Sequence, residues 1–402
     1  MIKNILYLTF VQSTNYIFPL LMLPYLVRVL GPSGYGSLML ALALIQYFLI
    51  ATDYGFNLSS TKKIAVAKSS KEVDVIYTNT LNAKIIIFFV GIFVITPVLY
   101  FFFNSLLVVS IIFISLLAVL GNIIFPLFLY QGLERMKDIM WITMLAKVVM
   151  TGCIFIFVKN KNDLFISAFI MTFQYLIPGL LSLYVLRKNK VVKYTGFCFR
   201  SAIEELKHGK PLFLSQMAVT FYTTFNTILL GYFYNPVVVG QYVAADKMRM
   251  AAQSLLNPIQ QVVFPKVNKE QGSTDSKIKK YRLIILAPSF IMAIVSLFFG
   301  QKVALLYLGN SYLEASHLFV LMMCLLPIIS LSVIYGQWGL IVIGKERVLT
   351  KIYCFAAVIH AAYSVPLVIK YSTIGMVISV FLTEAVVSIL MIYFFNRYKQ
   401  IS

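Results

Sequence analysis

Long apolar runs separated by short polar segments dominate this chain, and those runs define its elements. They lie near residues 4–30, 35–58, 76–103, 106–131, 139–158 and 164–186. After a basic segment come 211–234, 237–264, 282–300, 316–343, 349–369 and 372–395. Each is about 19 residues or longer, close to the ~20 residues of helix that cross a hydrocarbon core. A soluble core does not need so many runs of that length. The pattern predicts an all-α integral membrane protein with 12 transmembrane helices. Prolines fall inside many runs (Pro19, Pro24, Pro97, Pro126, Pro178, Pro258, Pro288, Pro327, Pro366). Membrane helices tolerate such breaks because neighbours or waters satisfy the freed carbonyls. The first run continues to about Leu30 without a small-residue cleavage site, so it is expected to be retained as the first helix.

Charge then sets the orientation. The chain is 60% hydrophobic and 12% charged with a formal net charge of +20. In a soluble protein that excess would suggest nucleic acid. Here Lys and Arg sit in the segments between apolar runs, which points to topology and anionic headgroups and away from nucleic acid. Counted over alternate loops, 25 lie on the side holding both termini and five (Arg28, Lys159, Lys161, Lys302, Lys370) on the other. Positive-inside bias therefore places both termini in the cytoplasm.

The 12 spans divide into two sets of six. Laying residues 3–62 over 207–266 brings Gln12 onto Gln216, Pro32 onto Pro236, Gly36 onto Gly240 and Lys62 onto Lys266. The same Pro-x-x-x-Gly turn thus joins helices one to two and seven to eight. The expected lobes are residues 1–204, including a cytoplasmic linker, and 205–402. A parallel repeat of this kind occurs in secondary transporters, where substrate sites lie between the halves.

Polar residues inside the spans are the candidate chemistry. On helix eight, Asp246, Arg249, Gln253, Asn257 and Gln260 recur at spacings that share one helical face, with Lys247 on an adjoining face. A charge in mid-membrane costs at least ~2.5–3.5 kcal/mol on insertion scales, so such groups face water or partners. The stripe lines a cavity, or Asp246 and Arg249 neutralise each other as a structural pair. Helix two carries Gln46, Asp53 and Asn57, and Asp53 also reads as an interfacial carboxylate. Lys147 and Glu384 are deep and without a charged neighbour on their own helices, which requires an inter-helix partner or an aqueous cavity. Lys84 is expected to snorkel from the cytoplasmic end of its run, and Arg28 either snorkels at the opposite surface or joins the cavity. Arg28, Lys147, Lys247 and Arg249 could hold a phosphate-bearing headgroup through charge-assisted hydrogen bonds. Asp53, Asp246 and Glu384 could balance charge or take protons, and Gln46, Asn57, Gln253 and Asn257 supply neutral polar lining.

Other chemistries fall away. Gly339 to Gly344-Lys345-Glu346 approaches a phosphate-binding loop, but Glu346 replaces the magnesium-binding hydroxyl and no strand precedes it, so ATP is not expected. The three histidines and four cysteines show no metal-ligand spacing, and no cofactor is expected.

Three blocks carry a family resemblance. They are Leu23-Pro-Tyr-Leu-Val-Arg28-Val-Leu-Gly-Pro32-Ser-Gly-Tyr-Gly36, Leu42-Ala-Leu-Ile-Gln46-Tyr-Phe, and Asp53-Tyr-Gly55-Phe-Asn57-Leu-Ser-Ser-Thr-Lys62-Lys63-Ile-Ala65. With Val237 to Lys247 and Tyr307 to Ala315, the chain resembles the Wzx-type O-antigen flippases, in the polysaccharide-export branch of the multidrug/oligosaccharidyl-lipid/polysaccharide superfamily. The resemblance implies two six-helix lobes around a central cavity in a bacterial inner membrane. It also implies alternating-access flipping of an undecaprenyl-pyrophosphate-linked oligosaccharide to the periplasmic leaflet, coupled to an ion gradient. O-antigen polymerase and a chain-length regulator are the partners it suggests, beside membrane lipids. Through matched segments it reaches Arg28, Asp53, Asp246 and Lys247. Lys147, Arg249 and Glu384 rest on burial alone. A multidrug exporter of the related branch would handle cationic substrates, which a net positive chamber disfavours. A membrane-embedded polymerase or glycosyltransferase would need catalytic groups outside the bilayer, and the longest opposite-side connection, near 301–315, holds only Glu314 as an acid. A channel or scaffold fits a proline-broken repeat with buried charges less well.

Overall fold

A computed structural model describes residues 2–102, 105–269 and 273–399. Residue 103, the expected end of the third run, and residues 400–402 lie outside them. The described residues are helical with short connections. In order these are α1 (Ile2–Asp53), α2 (Phe56–Ala65), α3 (Ser70–Phe102), α4 (Leu106–Ile124), α5 (Leu127–Gly132), α6 (Met136–Phe157), α7 (Leu164–Lys188) and α8 (Phe199–Phe233). Then follow α9 (Pro236–Ser254), α10 (Asn257–Lys269), α11 (Thr274–Leu308), α12 (Leu313–Met323), α13 (Leu325–Ser332), a π-helical stretch (Val333–Ile341) and α14 (Glu346–Tyr398).

Two of these are not single rods. At 52 and 53 residues, α1 and α14 would reach ~80 Å at 1.5 Å per residue, well over twice a hydrocarbon core of ~30 Å. Each is interrupted once. In α1 the break is Gly31, at φ 66° and ψ 175°, immediately before Pro32. Proline disfavours helical backbone in the residue before it, and glycine accepts positive φ without a Cβ clash. In α14 the break is Ser372 at φ 51°, beside Thr373, whose hydroxyl donates to Glu314 Oε1 at 2.7 Å.

Among the described residues, seven helices are long and apolar enough to cross a membrane, or eight if the pair 310–323 and 325–341, bent by 42°, is one span. The count falls short of the expected 12 for two physical reasons. The segments Ile17–Ala65 and Glu346–Tyr398 each hold a break within one continuous apolar stretch. Helices α8 and α9, in turn, carry polar side chains that dilute their apolar character, among them Gln216 and Asn226 in α8 and Asp246, Lys247, Arg249 and Gln253 in α9.

The chain forms two compact units, Met1–Thr220 and Phe221–Ser402, with α8 contributing residues to both. In the first, α4 packs on α1 and α7, α6 packs on the same two helices, and α2 lies on α5. In the second, α12 packs on α9 and α11, while α13 and the π-helical stretch pack on α14. The order of elements recurs. An offset of 204 residues carries the start of α3 at Ser70 onto the start of α11 at Thr274, and in both places a short helix (α2, α10) precedes the long one.

Helix boundaries depart from the apolar runs where polar helix extends past them. Helix α3 starts at Ser70 rather than 76, and α8 at Phe199 rather than 211. The basic connection between α7 and α8 is also not a loose loop. Its backbone is laced along α3 by Asp74, Thr78 and Asn82, spaced four apart and so on one face. Lys193 N–H donates to Asp74 Oδ1 (2.8 Å), and Thr195 N–H donates to Thr78 Oγ1 (3.0 Å). The Asn82 amide donates to Gly196 O (3.1 Å) and accepts from Tyr194 OH (2.8 Å). Lys63 Nζ on α2 then grips both oxygens of Glu205 on α8 at 2.8 Å.

Candidate functional site

In the first unit, the buried charge gathers where α1 ends. Backbone at Tyr54 and Gly55 turns to φ 45° and 75°, ending α1 at Asp53 and starting α2 at Phe56. A Cβ on Gly55 would stand 2.6 Å from the Leu212 Cβ of α8, so the turn requires glycine both for its φ and for that approach. Asp53 Oδ1 accepts from Lys84 Nζ of α3 at 3.1 Å and from the Asn122 amide of α4 at 3.0 Å. Three helices thus meet on one carboxylate oxygen.

Lys84 is 1% exposed, and its ammonium also lies 5.8 Å from the ring centre of Phe128. This corrects the snorkelling expectation. Around it Thr78, Thr80, Asn82 and Ala83 of α3 are all buried, so the Lys84 side chain is enclosed by protein. Asp53, 22% exposed, is accordingly paired with a buried lysine.

Beside this pair opens a cleft of about 540 Å³, lined by Asp53, Gly55, Asn57 and Leu58 and by Leu212, Gln216 and Thr220 of α8. Asn57 Oδ1 is buried there without a hydrogen-bond partner among the described residues. Gln46 lies exposed on the second arm of α1, and the Tyr54–Gly55 turn separates it and Asp53 from Asn57. Lys147 is half-buried on α6, and Arg28 is exposed near the Gly31 break. A smaller cleft of about 330 Å³ lies among Ile64, Lys68, Leu133 and Val191.

In the second unit, the charge is paired within one helix. Arg249 Nε–H donates to Asp246 Oδ1 at 2.9 Å, its Nη2 lies 2.7 Å from the same oxygen, and Nη1–H donates to Gln253 Oε1 at 2.6 Å. The predicted face is therefore real from Asp246 to Gln253, and the i, i+3 pairing holds. Lys247 is exposed on the adjoining face. Beyond Gln253 the stripe is broken, which corrects the expectation of one continuous helix over 237–264. Leu255 and Leu256 close tighter turns onto Ala252 O and Gln253 O, and α10 begins at Asn257-Pro258. Pro258 has no N–H to carry the α9 ladder onward. Asn257 and Gln260, both half-buried, belong to α10 and no longer follow the Asp246–Arg249 face.

Glu384 lies on the second arm of α14, half-buried, within electrostatic reach of Arg249. Beside it runs a buried neutral network that residue spacing did not reveal. His360, fully buried, bonds through Nε2 to Asn226 Oδ1 of α8 (2.7 Å) and through Nδ1 to Thr383 Oγ1 (2.6 Å). The Asn226 amide donates to Tyr242 OH of α9 at 3.2 Å, and Tyr363 OH bonds to Thr383. His360 and Asn226 are 134 residues apart, so no local pattern could have linked them.

Comparison with known proteins follows the same lines. The family described as polysaccharide biosynthesis protein matches residues 1–271. A protein of Shigella dysenteriae named "Putative O-antigen transporter" is 37% identical over 391 residues, covering 97% of this chain and 98% of that one. A protein of the same name from Escherichia coli (strain K12) is 30% identical over 410 residues, covering 99% and 97%. Among solved structures, the lipid II flippase MurJ in an inward closed conformation superposes with a TM-score of 0.77 at 12% identity, covering 98% of this chain and 87% of that one. At that identity the likeness is one of fold.

Proposed function

This chain belongs to the polysaccharide biosynthesis protein family, and on that footing we propose that it flips a lipid-linked O-antigen oligosaccharide across the bacterial inner membrane. The observation that carries this is identity along nearly the whole chain to two proteins named as O-antigen transporters. The cargo is an undecaprenyl-pyrophosphate-linked unit, taken from the cytoplasmic to the periplasmic leaflet. The chain acts as a transporter and not as an enzyme.

In this proposal, 12 spans form two six-helix lobes, 1–204 and 205–402, with both termini cytoplasmic. The lobes rock to expose a shared cavity to each side in turn, as inverted or parallel repeats allow. Arg28, Lys147, Lys247 and Arg249 receive the pyrophosphate. Gln46, Asn57, Gln253 and Asn257 line the sugar path, and Asp53, Asp246 and Glu384 balance charge or couple ions. The polyprenyl tail stays in lipid. Polymerase and chain-length regulator act on what is delivered.

The geometry at Arg249 supports the anion role. A guanidinium has five N–H donors in a planar fork suited to phosphate. Three are engaged with Asp246 and Gln253, leaving two for phosphate oxygens. Asp246 neutralises the guanidinium, so its burial does not leave an uncompensated charge.

Reconstitution in vesicles with a defined lipid-linked oligosaccharide, scored by leaflet-specific labelling, tests the proposal. Movement above protein-free vesicles is expected, and its absence would overturn the assignment. In cells, loss of the protein is expected to leave unpolymerised units on the cytoplasmic leaflet. A lost polymerase would instead leave single units already on the surface.

A further inference from the structure

We infer that the connection between α7 and α8, with the first turn of α8, is a docking site for anionic phospholipid headgroups. Phe197 and Phe199 enter the bilayer interface there, and Lys188, Lys190 and Arg200 meet the phosphates. The inference takes its cytoplasmic side from the transport proposal but does not depend on the cargo.

The path of the backbone carries it. Lys193 is bonded to Asp74, Thr195 to Thr78 and Gly196 to Asn82. The connection thus climbs along α3 from Asp74 to Asn82, about 12 Å at the helical rise of 1.5 Å per residue. Just beyond Asn82 the outward side of α3 turns apolar, with Ile85, Ile86 and Ile87 half-buried and Phe89, Val90 and Phe93 exposed. That is where its lipid-facing band begins. At Gly196, φ 110°, the chain leaves α3, and Ala202 of α8 is buried in one cluster with Ala83 of α3 and Phe56 of α2. The residues between them, Phe197 to Arg200, therefore stand at the rim of that band, about 5–10 Å along the helix from its first apolar residues. Headgroups occupy that depth.

The side chains placed there suit a leaflet surface, where binding combines apolar insertion with attraction of Lys and Arg to anionic lipid. Phe197 and Phe199 are each 59% exposed. From Arg187 to Ile203 the chain has five Lys or Arg and no Asp or Glu. Lys188 Nζ lies 5.6 Å from the ring centre of Tyr184, and Arg200 lies 3.6 Å from Glu204 in an exposed pair. Exposed pairs of that kind are worth little, so both cations can turn to phosphate. Depth and charge together select the lipid, because a partner protein would have to enter the headgroup layer to cover the same rings. Since α3 already holds the peptide groups, docking does not have to order the segment. Helix α8 runs on from this contact to Phe233 and contributes residues to both compact units, so the leaflet gains a hold on the helix they share.

Cys198, exposed between the two phenylalanines, serves as the reporter, with Cys153→Ala, Cys324→Ala and Cys354→Ala clearing the other thiols. The full chain, carrying a fluorophore on Cys198, is placed in nanodiscs doped with lipid spin-labelled near the headgroup. One set is phosphatidylcholine alone, and the other holds phosphatidylcholine and phosphatidylglycerol in equal parts. Quenching is expected to rise about twofold with phosphatidylglycerol and to lose that increment at about 1 M salt, which shortens the Debye length to about 3 Å. Lys188→Gln, Lys190→Gln and Arg200→Gln together should abolish the increment, since each cation near an anionic surface shifts docking about fivefold, ~1 kcal/mol. Phe197→Ser with Phe199→Ser should lower quenching in both lipids. All five positions are exposed, so these variants should melt with their parent. Equal quenching in the two lipids, an increment that survives the triple variant, or unchanged quenching in the Phe197→Ser, Phe199→Ser protein would overturn the site. Reaction of Cys198 with a membrane-impermeant thiol reagent in intact spheroplasts would overturn the cytoplasmic placement, while the nanodisc result still decides this inference.

Discussion

The two units bury charge in opposite ways. In the first, Asp53 accepts from Lys84 of α3 and Asn122 of α4, so three helices converge on one oxygen. In the second, Asp246, Arg249 and Gln253 pair along a single helix. A pair made between helices fixes those helices to each other, because separating them strands the fully buried Lys84 ammonium without its counter-charge. A pair made within one helix travels with it. Helix α9 can shift against its neighbours without losing its own neutralisation, whereas α1, α3 and α4 cannot part at Asp53 without a large cost. The difference assigns stability to the first arrangement and adaptability to the second.

The largest expected effect follows from breaking the inter-helix pair. Lys84→Met should leave Asp53 held only by Asn122 and destabilise the protein by about 3 kcal/mol, the low end for breaking a buried pair, since the Asp53 side chain keeps some exposure. Thermal unfolding in detergent would measure it. Adding Asp53→Asn should return most of the loss, and a double variant as unstable as the single one would count against the weld. The intermediate effect is functional. Arg249→Gln, whose amide can still bond Asp246, should lose less stability than Lys84→Met but flip at least tenfold more slowly in the leaflet-labelling assay, about 1.4 kcal/mol of barrier. If Arg249→Gln instead melted as early as Lys84→Met, the contrast between the units would be lost. The smallest effect belongs to the laced connection. Thr78→Ala removes one neutral hydrogen bond to Thr195, about 1 kcal/mol. It should show as faster amide exchange at Thr195, with the Asp53–Lys84 region unchanged.

Much of the framework was written in the chain's pattern. The apolar runs announced membrane helices, the Pro32-x-x-x-Gly36 turn marked the division of α1, and the spacing of Asp246, Arg249 and Gln253 revealed their shared face. Other features were hidden for physical reasons. The segments 70–76 and 199–210 are polar helix, so a search for apolar runs ended before they began. The α9–α10 break falls at two leucines, with its cause, Pro258, downstream. Lys84 looked superficial because its depth depends on what packs against α3, and the partners of His360 come from helices far apart in sequence. Spacing along one helix is legible, and contact between helices is not.

The lacing of residues 193–196 has one further consequence. Helix α3 holds this cord mostly by its peptide groups, with Tyr194 the one side chain bonded in return. Grip on a backbone is indifferent to what the side chains are. Lys193 and Thr195 are therefore free to be exchanged for whatever suits the adjoining headgroups, while Asp74, Thr78 and Asn82 are the knots that must keep their chemistry.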